Sequence, residues 1–573
     1  MLNPKTLSAI EAWCKRKTGQ DMVLVTIILI FFTGMFPLAS SRVVDSMNFE
    51  RYYTDAAVSM LQANDFLTPR FGDGTLRLHK PPLVYWLLIV SYKLLGISFL
   101  STRICFLIAG CATIWLAYTL ALKLTNDIRT ARATALILLS NVLFITVAAR
   151  ATQDVLTTFW LLVSAYGFIR LICYNDTRAL AYWSAYGGAA MGVVTKGLLP
   201  VVFVIYALAF AYFTSSPQEP FRRVLHPGII VVCVLISCSG FFLMVWKHGP
   251  LVLQNFWADQ FGEKTGFKGG PLRVSAYLLI YIPFFLPWLL CLAYLFYKGE
   301  PEKPVTAIQR KTCFFVLIWA VLLAIIFGLG DRIQDRYLVP AVPLLAVVLA
   351  IGLCRFSKSS IAAIADPLLN LVTLACFAIA SFGLSVLWQN GLLTKHFAGF
   401  TVLSLALLLI ALRLQRKQFS SEAVLSISLF LVLPLCLAIV SPFTLPDQTT
   451  QIARALRPLN PEKRTVFVIG INKVASRLRI SSGGEYVIRQ AKESDLLKSL
   501  SGSRQSIFVL TEGAARHLPA NSVQLREIAA YPIRVSLRKL LLATLKCDSK
   551  AYIESRKVHC YAVLPLMTSM SGP

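Results

Sequence analysis

The chain has 573 residues, 56% of them hydrophobic, a mean hydropathy of +0.66 and a formal net charge of +28. That apolar content excludes an ordinary soluble globular domain. The basic residues are scattered through loops and not gathered on one soluble module, which argues against nucleic acid as a partner and for anionic lipid or a phosphorylated lipid substrate.

A basic start (Lys5, Lys15, Arg16, Lys17) precedes the apolar run Met22 to Ser40. A helix needs about twenty apolar residues to cross the hydrocarbon core, so this run reads as a retained first span and not as the short core of a signal peptide. Further spans are predicted at 100–122, 132–149, 155–173, 179–195, 198–214, 228–246, 274–297, 312–329, 337–354, 361–388, 397–414 and 421–443. Because backbone in lipid must bond to itself, such a chain is a polytopic α-helical membrane protein with about thirteen transmembrane helices.

With the N-terminus in the cytoplasm, Lys123/Arg129/Arg132, Arg178, Arg222/Arg223, Lys298/Lys303/Arg310/Lys311, Arg355/Lys358 and Arg413/Arg416/Lys417 all fall in cytoplasmic loops. The positive-inside rule requires this. The run Pro81 to Gly96 is short for a span, and counting it would reverse that pattern. It reads as a helix lying in the outer interface, with Trp86 and Tyr92 at head-group level. The outer face then receives the first loop (42–99), the loop around Asp154, the turn at Lys196-Gly197, a loop at 247–273, the stretch 330–336 and everything after Ser441.

From about Pro446 the composition becomes soluble, so residues 1–445 are read as the membrane domain and 446–573 as a soluble α/β domain on the outer side, the periplasmic one if the chain is bacterial. RTVFVIGI (464–471) and SIFVLTEG (506–513) read as buried strands, with a helix at Ser494–Leu500 between them. Ten of the thirteen cysteines, Cys105 to Cys436, lie in or beside apolar runs, where Cys acts as a small hydrophobe. Cys547 and Cys560 share the polar region, and a periplasmic setting permits a disulfide between them that spacing alone does not fix.

Four polar features gather on the predicted outer face. Glu50-Arg51-Tyr52 follows the first helix; by position alone it is either a solvated pair or a functional acid. In His79-Lys80-Pro81-Pro82-Leu83-Val84-Tyr85-Trp86, two prolines open the interfacial helix and fix His79 and Lys80 at the membrane surface. Arg150-Ala-Thr-Gln-Asp154 joins two spans, and Asp154 can cap the helix it opens as well as take part in chemistry. Thr195-Lys196-Gly197 puts a lysine between two apolar runs, where it either snorkels or meets a partner or an anion. Two carboxylates and several cations at one membrane face suit chemistry on a lipid-linked phosphate.

These motifs, in this order and followed by Arg336-Tyr337-Leu338-Val339-Pro340, resemble the bacterial branch of the GT-C glycosyltransferases. Within it the chain looks most like the aminoarabinose transferases that modify lipid A, relatives of the protein O-mannosyltransferases. The resemblance implies inverting transfer of a sugar, 4-amino-4-deoxy-L-arabinose as the favoured one, from undecaprenyl phosphate to lipid A at the periplasmic face of the bacterial inner membrane. It implies Glu50 and Asp154 as the catalytic acids, and Lys80, Lys264, Arg336 and Tyr337 around the donor phosphate. Arg51, His79, Tyr85 and Lys196 are expected to line the substrate cavity. The chain departs from the family pattern where His79 replaces an acid before Lys80 and Phe49 replaces a second acid before Glu50. Lys264 and Lys268 stand where an Arg-Phe element is expected. His79 is the candidate metal ligand and a divalent cation the candidate cofactor. Other envelope glycans or protein hydroxyls remain alternative acceptors, and a transporter of lipid-linked sugar is the rival from another class.

Overall fold

The computed structural model describes residues 21–40, 50–217, 219–259, 270–330, 334–389, 448–469, 474–491, 506–516, 524–532 and 548–564, with a few isolated residues between them. The long apolar runs form helices, as closure of backbone hydrogen bonds within each segment demands. Among the described residues seven helices are long and apolar enough to cross a membrane, or eight if one bent pair is a single span. The expected span at 397–414 and most of 421–443 lie outside the described residues.

The chain opens with α1 (Met22–Ser40), then a short helix α2 (Arg51–Gln62) and α3 (Leu83–Leu95). The last is the expected non-spanning apolar helix, but its aromatic residues do not both sit at a lipid surface. Tyr92 is buried, its hydroxyl 2.9 Å from Thr102 Oγ1, and Trp86 donates from Nε1 to the Phe66 carbonyl at 2.9 Å. Tyr92 thus packs inward and Trp86 is half-buried, because α3 lies against α2 and α4 (Phe99–Thr125).

The run expected as one span at 132–149 is broken into α5 (Ile128–Leu139) and α6 (Val142–Ala148), bent by 67°. Asn141 causes a clean restart: its side chain accepts the Phe144 N–H at 2.9 Å, an N-cap inside an apolar run. Asn141 also donates to the Phe284 carbonyl at 3.1 Å, and Ser140 Oγ accepts from Trp288 Nε1 at 2.9 Å. The polar groups at the break are therefore satisfied by neighbouring helices.

Next come α7 (Gln153–Cys173), then α8 (Ala179–Tyr182), a π turn (Trp183–Gly187) and α9 (Gly188–Lys196). The α8–α9 stretch packs hard against α7. A Cβ on Gly188 would lie 2.7 Å from the Ser164 backbone nitrogen, and one on Gly167 would collide with the Ala185 backbone. Small residues permit this approach in the absence of a hydrophobic drive between helices in lipid. The first turn of α7 and the last turn of α9 consequently lie side by side. The remaining long elements are α10 (Leu199–Phe213), α11 (Pro227–His248), α12 (Leu251–Trp257), α13 (Pro271–Lys298), α14 (Ala307–Gly328), a 3-10 turn (Asp335–Ala341) leading into α15 (Val342–Leu353), and α16 (Lys358–Gln389).

The C-terminal region carries α17 (Gln448–Leu459), β1 (Val466–Ile469), α18 (Val474–Ser481), β2 (Ile488–Ala491), β3 (Ile507–Thr511), β4 (Gln524–Pro532) and β5 (Lys557–Leu564). The sheet order is β2-β1-β3-β5-β4. β1 runs parallel to β2 and β3, whereas β5 is antiparallel to β3 and β4. Both expected strands are present as β1 and β3; the expected helix at 494–500 lies outside the described residues. Ile452, Leu456, Val466, Leu478 and Val509 fill the core between α17, α18 and the sheet. Cys560 is buried on β5, and Cys547 lies outside the described residues.

This region docks on α2 through buried polar contacts. Asp55 Oδ1 pairs with Arg479, Asp55 Oδ2 accepts from Ser476 Oγ at 2.6 Å, and Arg479 Nη2 donates to the Gly72 carbonyl at 2.7 Å. Gln62 Nε2 adds a bond to the Gly484 carbonyl at 3.1 Å. Removing one partner of a buried ion pair strands the other, at about 3–5 kcal/mol. Arg479→Ala is therefore expected to loosen the docked region and raise its sensitivity to limited proteolysis; a digestion rate equal to that of the native protein would show that the pair contributes nothing to docking.

Candidate active site

The close approach of α7 and α9 fixes the centre of the site. Asp154, in the first turn of α7 and 1% exposed, accepts from Lys196 Nζ at 2.7 Å, Lys196 being the last residue of α9. Gly197 ends α9 with φ of +104°, a conformation an L side chain rarely adopts, so the chain turns there without moving the lysine away. Arg336, on the 3-10 turn, reaches the other Asp154 oxygen at 3.5 Å. Tyr337 lies beneath both cations, its ring centroid 5.1 Å from Lys196 Nζ and 5.5 Å from the Arg336 guanidinium carbon, and stacks on Phe327 at 4.6 Å. Sequence reading selected all four residues; the structure joins them in one buried group.

Tyr53 on α2 connects this group to a second one. Burial pushes its hydroxyl pKa up, and it interacts electrostatically with Arg77, Tyr85, Asp154 and Arg336. Arg77 is 3% exposed and lies over the rings of Tyr53, Tyr52, Phe71 and Tyr85 at 4.5 to 5.7 Å, while Nη1 donates to the Tyr52 carbonyl at 2.7 Å. Its Nε and the Tyr85 hydroxyl are buried and have no hydrogen-bond partner among the described residues. Arg51 Nε, Arg150 Nε and Gln153 Oε1 share that condition. Buried polar groups are rarely left unpaired, so the Arg77 and Tyr85 cluster, in which the guanidinium lies 5.7 Å from the ring, is suited to a polar ligand or to ordered water. Lys80 stands beside it, paired with Asp259 at 2.6 Å.

Glu50, the other expected acid, forms a separate buried ion pair. Its carboxylate is gripped by the Arg103 guanidinium through Nε to Oε1 at 2.8 Å and Nη2 to Oε2 at 2.7 Å, and Oε1 also accepts the Ala151 N–H at 2.8 Å. Burial pushes the Glu50 carboxyl pKa up, but the charge and hydrogen bonds of Arg103 outweigh it and hold the group below the usual carboxylate range. Arg103 itself donates to the Leu38 and Ala39 carbonyls at 3.3 and 3.2 Å, tying the end of α1 to the same point. Glu50 thus fastens α1 and α4 to the segment that carries Asp154.

His79 stacks on Phe71 at 5.8 Å, and among the described residues no group of three or more His, Cys, Asp or Glu side chains is arranged to hold a metal. Arg51 donates to the Tyr52 hydroxyl at 3.0 Å. Lys264 lies outside the described residues. Sequence reading missed Arg103, Arg77, Tyr53 and Asp259. Arg103 carried a signal, as an arginine within an apolar run is by default paired or functional; the others had none, since their partners are distant in the chain.

The sequence profile of the dolichyl-phosphate-mannose-protein mannosyltransferase family matches residues 79–244, a segment containing Lys80, Tyr85, Asp154 and Lys196. A protein of Aquifex aeolicus is 28% identical over 57% of this chain and 62% of its own length. The undecaprenyl phosphate-alpha-4-amino-4-deoxy-L-arabinose arabinosyl transferase of Pectobacterium atrosepticum is 26% identical over 66% of this chain and 68% of its own length. The chain thus spans about three fifths to two thirds of the curated relatives it matches. The crystal structure of ArnT from Cupriavidus metallidurans bound to undecaprenyl phosphate superposes with a TM-score of 0.69 at 17% identity, covering 97% of this chain and 100% of that one. The chain therefore shares the fold of ArnT and carries, at residues 79–244, a segment similar to the dolichyl-phosphate-mannose-protein mannosyltransferase family.

Proposed function

We propose that this protein transfers a sugar, 4-amino-4-deoxy-L-arabinose as the favoured one, from undecaprenyl phosphate to lipid A at the periplasmic face of the bacterial inner membrane. The observation that carries the reading is the buried Asp154, held between Lys196 and Arg336 beside a cluster of unsatisfied arginine and tyrosine atoms. The names of the relatives supply the donor, its sugar and its carrier.

In this reaction the bond between the sugar C1 and the phosphate oxygen breaks, and its electron pair stays on the carrier phosphate. An acceptor oxygen attacks C1 from the opposite face, which inverts the anomeric centre. Cations fixed where that negative charge develops lower the barrier most in a water-poor site. Lys80 and Arg77 are the candidates for that work, with Arg336 shared between phosphate and Asp154. A lipid A phosphate attacks as an anion and needs no base. Asp154 then orients the sugar, accepting from its amino or hydroxyl groups and balancing Lys196 and Arg336. Glu50, with both oxygens engaged by Arg103, serves to position the Asp154 segment.

A second acceptor class is favoured by one finding, the match to a family described as acting on protein: a hydroxyl would replace the phosphate, and Asp154 would then take its proton. The deciding experiment is product formation by the purified protein in detergent, with undecaprenyl-phosphate-aminoarabinose and lipid A. Mass spectrometry is expected to find lipid A heavier by one aminopentose. Lys80→Ala is expected to cut the rate by about 10²-fold at low donor, in line with loss of one charge-stabilising contact. Unmodified lipid A with donor consumed would redirect the acceptor to another glycan or to protein. Untouched donor would remove the transferase reading altogether.

A further inference from the structure

Lys80 already holds an anion. Its ammonium donates to Asp259 Oδ2 at 2.6 Å, and the two side chains are only 8% and 15% exposed. Asp259 follows α12, the short helix after α11, and it interacts electrostatically with Tyr85, whose hydroxyl belongs to the unsatisfied cluster. Asp259 therefore presents a carboxylate near Tyr85, at the lysine read above as a phosphate ligand.

A carboxylate oxygen and a phosphate oxygen make the same kind of charge-assisted bond to an ammonium group. Both cannot occupy one donor position, and two adjacent anions repel in a site of low dielectric. We infer that Asp259 is a displaceable occupant of the phosphate position: it holds Lys80 in the unliganded protein, yields to the donor, and returns to help expel the spent carrier. The last step has a chemical reason. The donor is a phosphodiester with one negative charge, whereas the product is a phosphomonoester carrying about −1.5 to −2 at neutral pH. The same cations that favour bond cleavage therefore hold the product more tightly than the donor. A competing carboxylate offsets that difference without weakening the field at the moment of transfer.

This inference rests on reading Lys80 as a phosphate ligand, and the test separates the two claims. Full-length protein in detergent is titrated with undecaprenyl phosphate as the native form, Asp259→Asn, Asp259→Ala and Lys80→Ala. If the pair occupies Lys80 about nine-tenths of the time, apparent affinity is reduced by that factor, and Asp259→Asn is expected to bind the probe about tenfold more tightly than the native form. Asp259→Ala should move the same way, which guards against a packing effect peculiar to one variant. In turnover, both variants are expected to give an initial burst of sugar transfer followed by a slower steady rate, because carrier release is delayed. Binding by the native form with equal or weaker binding by both Asp259 variants overturns the competition and makes Asp259 a support for Lys80. Native protein that binds undecaprenyl phosphate no better than Lys80→Ala overturns the phosphate role of Lys80, and the inference with it.

Discussion

Asp154→Asn is expected to lower the rate of sugar transfer by about 10³-fold or more, the range found when a group that carries charge in the transition state is neutralised. The substitution keeps size and shape, so α7 and α9 can still pack through Gly167 and Gly188. It removes a carboxylate that pairs with both Lys196 and Arg336. Two cations then share a buried site without their common counter-charge, which also destabilises the fold by a few kcal/mol, about 3–5 at most for a fully stranded pair. Melting temperature and monodispersity must be measured beside the rate. Adding Lys196→Met should recover stability while the rate stays low. A folded Asp154→Asn protein with a rate within tenfold of native would remove Asp154 from the reaction.

Glu50→Ala is expected to fail for another reason. It takes the carboxylate away from the fully buried Arg103, whose bonds to the Leu38 and Ala39 carbonyls carry no counter-charge, and frees the Ala151 N–H. Loss of one partner from such a pair costs about 3–5 kcal/mol, a large share of a typical protein's stability. Low expression or early melting is the expected result. The double substitution Glu50→Leu with Arg103→Leu separates structure from chemistry, because a buried ion pair can often be replaced by packed apolar groups without loss. If Glu50 only positions the Asp154 segment, the double variant regains both folding and a substantial part of the activity. A well-folded double variant with no transfer would return Glu50 to the catalytic group.

These two acids show how far linear reading reaches. Both stood out as carboxylates at helix ends on the predicted outer face, and both lie buried near one another's segments. Their different environments come from partners that no local pattern announces. Asp154 meets Lys196 because two antiparallel helices touch through glycines, whereas Glu50 meets Arg103 across 53 residues of chain. Lys80 was legible from the Pro-Pro motif, yet its partner Asp259 is 179 residues away. The 67° break between α5 and α6 was missed because Ser140 and Asn141 sit inside an apolar run whose average hydropathy hides them.

Hydropathy by itself determined that the chain is a multi-span helical membrane protein with a C-terminal sheet region. The reason is that burial in lipid forces each apolar run to close its own hydrogen bonds, a constraint written along the chain one segment at a time. Short motifs determined most of the residues that line the candidate site. Only the tertiary structure decided which cations each carboxylate meets and which anion sits on Lys80. Those outcomes depend on pairing energies between charges drawn from separate helices, and such energies exist only once the helices have packed.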